Sequence, residues 1–203
     1  MIKEAQIENL FATPLYMNSL ERDITLKERN LINSFQDKTI LNQSNYHTKE
    51  SYVLNNKGFK DLKKFTQECC NDYLEKIISP SDDVKLNITQ SWINYSNQNQ
   101  YHQEHCHSNS YISGVLYINA REDSDAIQFT NSTYRFLNPN IKHYNVWNSK
   151  TRTLYVRTGM LIMFPSHLYH SVKVNRNTYT RTSIAFNTFL KGTIGGGLGE
   201  LKL

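Results

Sequence analysis

The residues of this chain best suited to chemistry are histidines, and five of its seven histidines lie in two short segments. Residues 101–107 contain three of them, and residues 167–170 begin and end with the other two: His102, His105, His107, His167 and His170. Imidazole nitrogen is the commonest protein ligand for transition metals, and its neutral form binds Fe, Zn, Ni and Cu. A metal centre is therefore the first chemistry that the sequence suggests.

His105 and His107 have the spacing of two ligands on one strand. Residues i and i+2 of a strand project to the same face, so both can bind one ion, while Cys106 points away into ordinary core packing. His170 is the candidate third ligand from a distant strand, and His167 is expected to face the other way. Such a site leaves open positions for substrate and dioxygen, as in non-haem iron oxygenases. An H-x-H pair alone is also typical of a solvated polar strand end, so the surrounding elements matter.

Two helices and then a series of strands are predicted to position these residues. Residues 22–36 and 57–78 carry apolar side chains at helical spacing. From about residue 84 the apolar pattern changes to period two, and Trp92 and Asn94 continue one alternation with Val84, Leu86 and Ile88. Further short strands are predicted near 111–119, 126–130, 153–157, 160–164, 168–174 and 179–190. This order predicts a mainly β, α+β chain in which the helices pack outside a barrel or sandwich.

One domain is expected over residues 1–203, with a helical part at about 1–80 and a β-barrel at about 84–203, because no repeat or linker interrupts the pattern. The polar and aromatic segment 131–152, which includes Tyr134, His143, Tyr144 and Trp147, has the length of a functional loop or lid. The glycine-rich segment 192–199 lacks the context of a phosphate loop and is interpreted as a bend.

Composition excludes several classes of protein. The 203 residues are 38% hydrophobic with a mean hydropathy of −0.60, which is typical of a globular soluble chain rather than a disordered one. No apolar run of membrane-spanning length and no signal peptide are evident. The three cysteines form no obvious pair, which favours a reducing cytoplasm. The net charge of +5 permits an acidic partner, but the basic residues form no dense block that would indicate nucleic-acid binding.

The order of these parts resembles the Fe(II)/2-oxoglutarate-dependent oxygenases, and most closely a branch found in bacteria and phages. The similar segments are LFATPLY at 10–16, Trp92-x-Asn94, His105-x-His107, SGVLY at 113–117, FPS at 164–166 with His170, and RTSIAFN at 181–187. The resemblance covers nearly the whole chain. It implies a double-stranded β-helix, or jelly roll, whose mouth holds the metal.

By this resemblance, His105 and His170 match the two family histidines that bind iron. His107 stands where most members have Asp or Glu, so three neutral ligands would make the site one charge more positive. A competing register uses the H-x-E pair His102 and Glu104, which would restore the carboxylate. In the preferred register these two residues are neighbours of the ligands.

The resemblance also implies a cosubstrate pocket. Arg181 matches the family cation that binds the distal carboxylate of 2-oxoglutarate, and the planar fork of arginine suits a carboxylate. Ser183 lies on the same face of the strand and can donate to that carboxylate. Tyr95 and Tyr117 match tyrosines that line the pocket in prolyl-hydroxylase-type enzymes, although either can equally be a core aromatic.

The implied activity is that of a dioxygenase that uses Fe(II), 2-oxoglutarate and O2 to hydroxylate a substrate, releasing succinate and CO2. Two alternatives stay open. One is a three-histidine iron dioxygenase that needs no 2-oxoglutarate. The other is a non-catalytic binding or structural barrel with a degenerate site. The prime substrate can equally be a peptide, a nucleotide or a small metabolite, and a phage-encoded enzyme would work in the host cytoplasm.

Overall fold

Two long antiparallel strands, β4 (Val84–Ser96) and β11 (Arg181–Ile194), form the centre of the larger sheet. The computed structural model describes residues 4–131 and 139–203. The strand order of this sheet is β1-β9-β6-β11-β4-β3-β2, with β12 paired to the end of β11. The remaining strands are β1 (Tyr16–Ser19), β2 (Thr39–Asn42), β3 (Asn45–Thr48), β6 (Ile112–Asn119), β9 (Met160–Pro165) and β12 (Leu201–Lys202).

A smaller sheet of four strands faces the larger one. Its order is β5-β10-β7-β8, formed by β5 (His102–His105), β10 (His170–Val172), β7 (Ala126–Thr130) and β8 (Thr151–Tyr155). An apolar layer joins the two sheets and includes Tyr117, Ile127, Phe129, Ile162 and Phe164. The strands of both sheets pair antiparallel, and the sheets do not close into a barrel.

The helices cover the outer face of the larger sheet, as predicted. Helix α1 (Leu26–Asn33) begins at a capping box in which Thr25 and Glu28 satisfy each other's backbone N–H groups. Helix α2 (Lys60–Tyr73) continues into a short π-helical turn that ends at Ile78. The buried side chains between helices and sheet form the larger core and include Phe59, Leu62, Tyr73, Leu86, Ile93 and Leu116.

A β-bulge in β4 decides which of its side chains face the smaller sheet. Asn187 pairs with Gln90, but Thr188 pairs with Ile88, so Thr89 is an extra residue. An extra residue reverses the alternation that follows it. Leu86 therefore faces the helices before the bulge, as do Ile93 and Tyr95 after it, whereas Trp92, Asn94 and Ser96 face the smaller sheet. The predicted single alternation, which placed Trp92 and Asn94 with Leu86, is wrong for this reason.

Several predicted features are confirmed and others were missed. The two helices and the strands from residue 84 onward lie close to their predicted bounds, which confirms the mainly β architecture with external helices. The four-residue strands β1, β2 and β3 were not predicted. A strand was predicted at His105 and His107, but β5 ends at His105 and His107 lies just after it. The C-terminal bend returns the chain so that β12 pairs with β11.

The predicted functional loop connects the paired strands β7 and β8. Its ends meet where the N–H of Asn131 donates to the carbonyl of Lys150 at 2.8 Å. Trp147 donates its indole N–H to Asn9 at 2.9 Å, and Tyr134 lies outside the described residues. Within the ranges 4–131 and 139–203, no helix has the length and apolar character needed to cross a membrane.

Gly114 on β6 offers a test of the packing between the sheets and the helices. A Cβ atom built on Gly114 would lie 2.2 Å from Cζ of the fully buried Phe186. Gly114→Ala should lower the free energy of unfolding by about 1–3 kcal/mol, because the closely packed ring must move. Urea unfolding followed by circular dichroism measures this loss. Gly196→Ala is the matched control, since no atom lies within 4 Å of its added methyl, and equal stability of the two variants would contradict the packing described.

Candidate metal centre

Two histidines on neighbouring strands and a third just after one of these strands converge at one end of the space between the sheets. His105 ends β5 and pairs directly with His170, which begins β10. His107 follows β5 and donates its backbone N–H to the carbonyl of Ser166 at 2.9 Å. One ring nitrogen of each histidine lies within 4.8 Å of those of the other two. This separation suits three ligands of a single ion.

Backbone carbonyls orient two of these rings. Nδ1 of His105 lies 2.9 Å from the carbonyl oxygen of Gln103, and Nδ1 of His170 lies 2.9 Å from that of Leu168. Since a carbonyl oxygen can only accept a hydrogen bond, Nδ1 carries the proton in both rings. The lone pair is therefore on Nε2, which is the usual arrangement for a metal-binding histidine.

A side-chain amide orients the third ring. Nδ1 of His107 lies 2.6 Å from Oδ1 of Asn187, and Trp92 stacks on the other side with 5.7 Å between ring centroids. Nε2 of His107 is buried and has no hydrogen-bond partner among the described residues. A buried unpaired nitrogen is costly. A metal ion shared with His105 and His170 would satisfy it, so the residues present fit a divalent transition metal.

Burial keeps these rings neutral. Desolvation lowers the pKa of His170 to about 3 and that of His107 to about 4, and it also lowers the pKa of His105. The fourth histidine, His102, stacks on His105 with 4.2 Å between centroids, and burial lowers its pKa to about 3. Neutral imidazole is the form that binds metal, so the site needs no deprotonation at pH 7.

The alternative H-x-E register does not bring its carboxylate to the centre. Glu104 is exposed and accepts a hydrogen bond from the hydroxyl of Thr130, on the outer face of the smaller sheet. An irregularity in the pairing of β5 with β10 lets His102 share the inner face with His105. Nε2 of His102 lies 3.0 Å from the amide nitrogen of Asn42.

Cys106 and His167 do not face the centre. Cys106 is half-buried rather than packed in the core, and His167 is exposed. The predicted core position of Cys106 is therefore wrong, because the chain has left β5 at this point and covers it only in part. Neither side chain lines the pocket that contains the three histidines, as predicted, although neither residue lies within a strand.

A buried arginine lines the same pocket as the histidines. Arg181 begins β11 and is 4% exposed. Its Nη1 lies 3.1 Å from Oδ1 of Asp125, and its Nη2 donates to the carbonyl of Lys173 at 2.9 Å. Asp125 also accepts from the backbone N–H of Arg121 at 2.9 Å and from the hydroxyl of Tyr179. The guanidinium is thus held rigidly, and the remaining three of its five N–H groups have no acceptor among residues 4–131 and 139–203.

The pocket between histidines and arginine contains about 540 Å³ of empty space, including its open mouth. Ser183 and Tyr117 line it, and the Tyr117 hydroxyl has no partner in the part of the chain that the structure describes. Burial raises the pKa of Tyr117, so the hydroxyl stays protonated and can donate. The other lining residues are Asn45, Trp92, Asn94, Ser96, His102, Val115, Ile127, Val172 and Ala185.

Tyr95 does not line this pocket, so its predicted place is wrong. Its side chain lies in the core under the helices, and its hydroxyl donates to the carbonyl of Ile32 at 2.6 Å. The bulge at Thr89 turned the alternation of β4, which places the neighbours Asn94 and Ser96 in the pocket instead.

Sequence reasoning missed two buried residues that hydrogen-bond to predicted site residues: Asn187, which contacts His107, and Asp125, which contacts Arg181. Asn187 follows Arg181 and Ser183 on the same face of β11, so strict alternation along the strand would have found it. Asp125 precedes β7 and gives no such signal, because its contact with Arg181 spans 56 positions of sequence.

The buried histidines predict how the stability of the metal-free protein depends on pH. Their folded-state pKa values of about 3 to 4 lie below the unfolded value near 6.5. Their contribution to stability is therefore complete above pH 6.5 and is lost as the pH falls toward 4. The urea midpoint, measured with a chelator present, should fall clearly between pH 7.5 and pH 5.

Two variants separate this effect from general acid unfolding. His102→Gln should make the pH dependence shallower, because one buried imidazole no longer titrates. His167→Gln removes an exposed imidazole and is the matched control. A midpoint that does not change between pH 7.5 and pH 5 would contradict the burial of these rings.

Comparison with known proteins agrees with this geometry. Residues 90–187 match a family model described as "putative 2OG-Fe(II) oxygenase", and this segment contains the three histidines and Arg181. A search of the curated protein sequences finds no match.

Solved structures resemble the chain in fold. An oxidoreductase of the 2OG-Fe(II) oxygenase family from Burkholderia pseudomallei is 12% identical, with a TM-score of 0.57 over 86% of this chain and 83% of that chain. A viral collagen prolyl hydroxylase from Paramecium bursaria Chlorella virus-1, solved with 2OG, is 13% identical, with a TM-score of 0.53 over 85% and 94%. HygX from Streptomyces hygroscopicus, solved with nickel, 2-oxoglutarate and hygromycin B, is 10% identical, with a TM-score of 0.53 over 87% and 82%.

At these identities the solved structures establish the fold, a double-stranded β-helix of two antiparallel sheets. The family match covers the strands that carry the site, from the second half of β4 to the middle of β11. Residues 90–187 thus match the 2OG-Fe(II) oxygenase family, and the chain shares the fold of solved 2OG-Fe(II) oxygenase structures.

Proposed function

We propose that this protein is an Fe(II)- and 2-oxoglutarate-dependent dioxygenase whose metal is bound by Nε2 of His105, His107 and His170. The observation that carries the proposal is the presence, in one pocket, of three neutral histidines and a buried arginine. When bound, the metal would supply the activation of dioxygen, with conversion of 2-oxoglutarate to succinate and CO2 and hydroxylation of a second substrate.

Arg181 is proposed to bind the distal carboxylate of 2-oxoglutarate. Asp125 and the Lys173 carbonyl fix the guanidinium plane, so little side-chain entropy is lost when a carboxylate binds. Ser183 and Tyr117 add hydroxyl donors from neighbouring positions of β11 and β6. A carboxylate at this position would satisfy the unpaired Tyr117 hydroxyl.

The apolar side chains of the pocket exclude water from the space between the arginine and the metal ligands. Val115, Ile127 and Val172 line the pocket from both sheets, and Trp92 covers one face of His107. Exclusion of water strengthens the charge-assisted hydrogen bonds of Arg181 and protects reactive species from side reactions.

The prime substrate is proposed to enter beside the segment between β7 and β8. Tyr144, Val146 and Trp147 of this segment are at least half exposed, which offers apolar contact area for a peptide, a nucleotide or a small polar metabolite. The structural relatives include one named as a collagen prolyl hydroxylase and one solved with hygromycin B.

We further infer that the whole chain forms one domain, because β6 contributes side chains to both hydrophobic cores. We also infer a location in a reducing cytoplasm, because Cys69, Cys70 and Cys106 are free thiols.

A second candidate function rests on the ligand set. Three neutral ligands, with no carboxylate, are also what a three-histidine dioxygenase that binds its substrate directly would use. Arg181 favours the 2-oxoglutarate enzyme, because the alternative needs no dicarboxylate clamp. A non-catalytic binding barrel would keep both the metal ligands and Arg181 but release no succinate.

Substitution of Arg181 separates cosubstrate binding from metal binding. Arg181→Ala should weaken 2-oxoglutarate binding by about 30-fold or more, which corresponds to about 2 kcal/mol for a lost buried charge pair. Its affinity for Co(II), a redox-stable substitute for Fe(II), should stay within about twofold. Calorimetric titration of the Co(II)-loaded protein with 2-oxoglutarate under nitrogen, and of the metal-free protein with Co(II), measures both.

Two further variants make this result interpretable. Arg152→Ala removes an exposed arginine of β8 and is the matched control. Because Arg181→Ala leaves Asp125 buried and unpaired, the double variant Arg181→Met with Asp125→Asn provides a neutral pocket if the single variant unfolds. Equal losses of Co(II) and 2-oxoglutarate affinity would contradict the assignment.

A further inference from the structure

A chain of buried hydrogen bonds lies behind His107. Oδ1 of Asn187 accepts from Nδ1 of His107 at 2.6 Å and from Oγ of Ser113 at 2.9 Å. Ser113 lies 2.8 Å from Oγ of Ser166, which in turn lies 2.7 Å from Oγ of Ser110. Asn187, Ser113 and Ser166 are each at most 6% exposed. The third histidine is thus anchored to β11, β6 and the segment after β9.

This chain determines which nitrogen of His107 can bind metal. Asn187 donates Nδ2 to Oε1 of Gln90 at 3.3 Å, which leaves Oδ1 facing both the ring and Ser113. An amide oxygen accepts only, so the ring must donate through Nδ1. Nε2, the one buried atom of His107 without a partner among the described residues, then carries the lone pair.

Resting on the proposed function, we propose that Asn187 is the positioning residue that makes His107 a metal ligand. Its amide oxygen fixes the tautomer and the direction of the ring, so that Nε2 points to the same ion as His105 and His170. A carboxylate at position 107 would be met by a donor only if the Asn187 amide rotated, which would turn Nδ2 away from Gln90. The observed orientation, with Oδ1 toward His107 and Nδ2 toward Gln90, suits a histidine at this position.

If Asn187 had only a structural role, its substitution would have different effects. A residue that only joins strands would affect stability, and the metal affinity would follow stability. A positioning residue affects the tautomer of His107 and the metal affinity even when stability changes little. Thr188 allows this comparison, because it is the next residue of β11, is fully buried, and donates Oγ1 to the Ile112 carbonyl at 2.7 Å on the opposite face.

The first experiment measures the tautomer in the metal-free protein. In long-range ¹H–¹⁵N spectra, His107 should show a protonated Nδ1 and an unprotonated Nε2. Asn187→Leu, which removes the acceptor but keeps the volume, should move both nitrogen shifts toward averaged values. Thr188→Val should leave them unchanged.

The second experiment measures Co(II) affinity and the visible Co(II) spectrum. Asn187→Leu should weaken binding by about 10- to 100-fold, and Thr188→Val by less than about twofold. Asn187→Asp, which keeps an acceptor at the same place and is the more conservative substitution, should bind Co(II) at least as tightly as the unsubstituted protein.

The outcomes distinguish this inference from the proposed function. Unchanged His107 shifts in Asn187→Leu, or equal losses of Co(II) affinity in Asn187→Leu and Thr188→Val, would overturn the role of Asn187. If the unsubstituted protein binds no Co(II) but its His107 tautomer depends on Asn187, the metal-dependent function fails and the control of the ring by Asn187 stands.

Discussion

The register between β4 and β11, including the bulge at Thr89, is the constraint on which the site depends. It aligns four rows of side chains across β4, β11 and β6, of which the first three line the pocket and the fourth lies behind His107. Each row contains one residue of β4 and its partners on β11 and β6. From the arginine end to the histidine end, the rows are Ser96 with Arg181, then Asn94 with Ser183 and Tyr117, then Trp92 with Ala185 and Val115, and last Gln90 with Asn187 and Ser113. A slip of one residue would turn every one of these β4 side chains toward the helices.

The smaller sheet carries His105 and His170. The pairing of His105 with His170 brings two ring nitrogens together, and Phe164 packs on His170 with 4.6 Å between centroids. Phe129 of the same apolar layer also packs near His170, with 6.2 Å between centroids. A precise site of this kind is best built on strands whose side chains are locked by packing, which is the arrangement found here.

The negative charge near the pocket lies beside Arg181 rather than beside the histidines. The three histidines bring no negative charge to a metal ion, while the buried Asp125 neutralises Arg181 at the other end. A buried ion pair of this kind is retained more for geometry than for net stability. The full set of hydrogen bonds to Asp125 agrees with that role, because the carboxylate and its arginine are both held in one orientation.

The sequence was sufficient to predict the helices and most strands, because these depend on local periodicity. The convergence of the three histidines was predicted from the spacing of His105 and His107 and, for the distant His170, from the resemblance to a known family. The roles of those histidines as ligands remain predictions. Tyr95 was misplaced because a bulge reverses the alternation without a clear signal in the residues themselves. Asp125 could not be found, since its contact with Arg181 depends on tertiary packing between distant segments. The short strands β1 to β3 escaped prediction because four residues carry too little periodicity.

The most direct test of the central claim is an anaerobic titration. Fe(II) and 2-oxoglutarate are added to metal-free protein while the visible spectrum is recorded, and succinate is assayed after oxygen is admitted. The account predicts a charge-transfer band that needs both additions, followed by succinate even without a prime substrate. One bound iron per chain with no band and no succinate would contradict it.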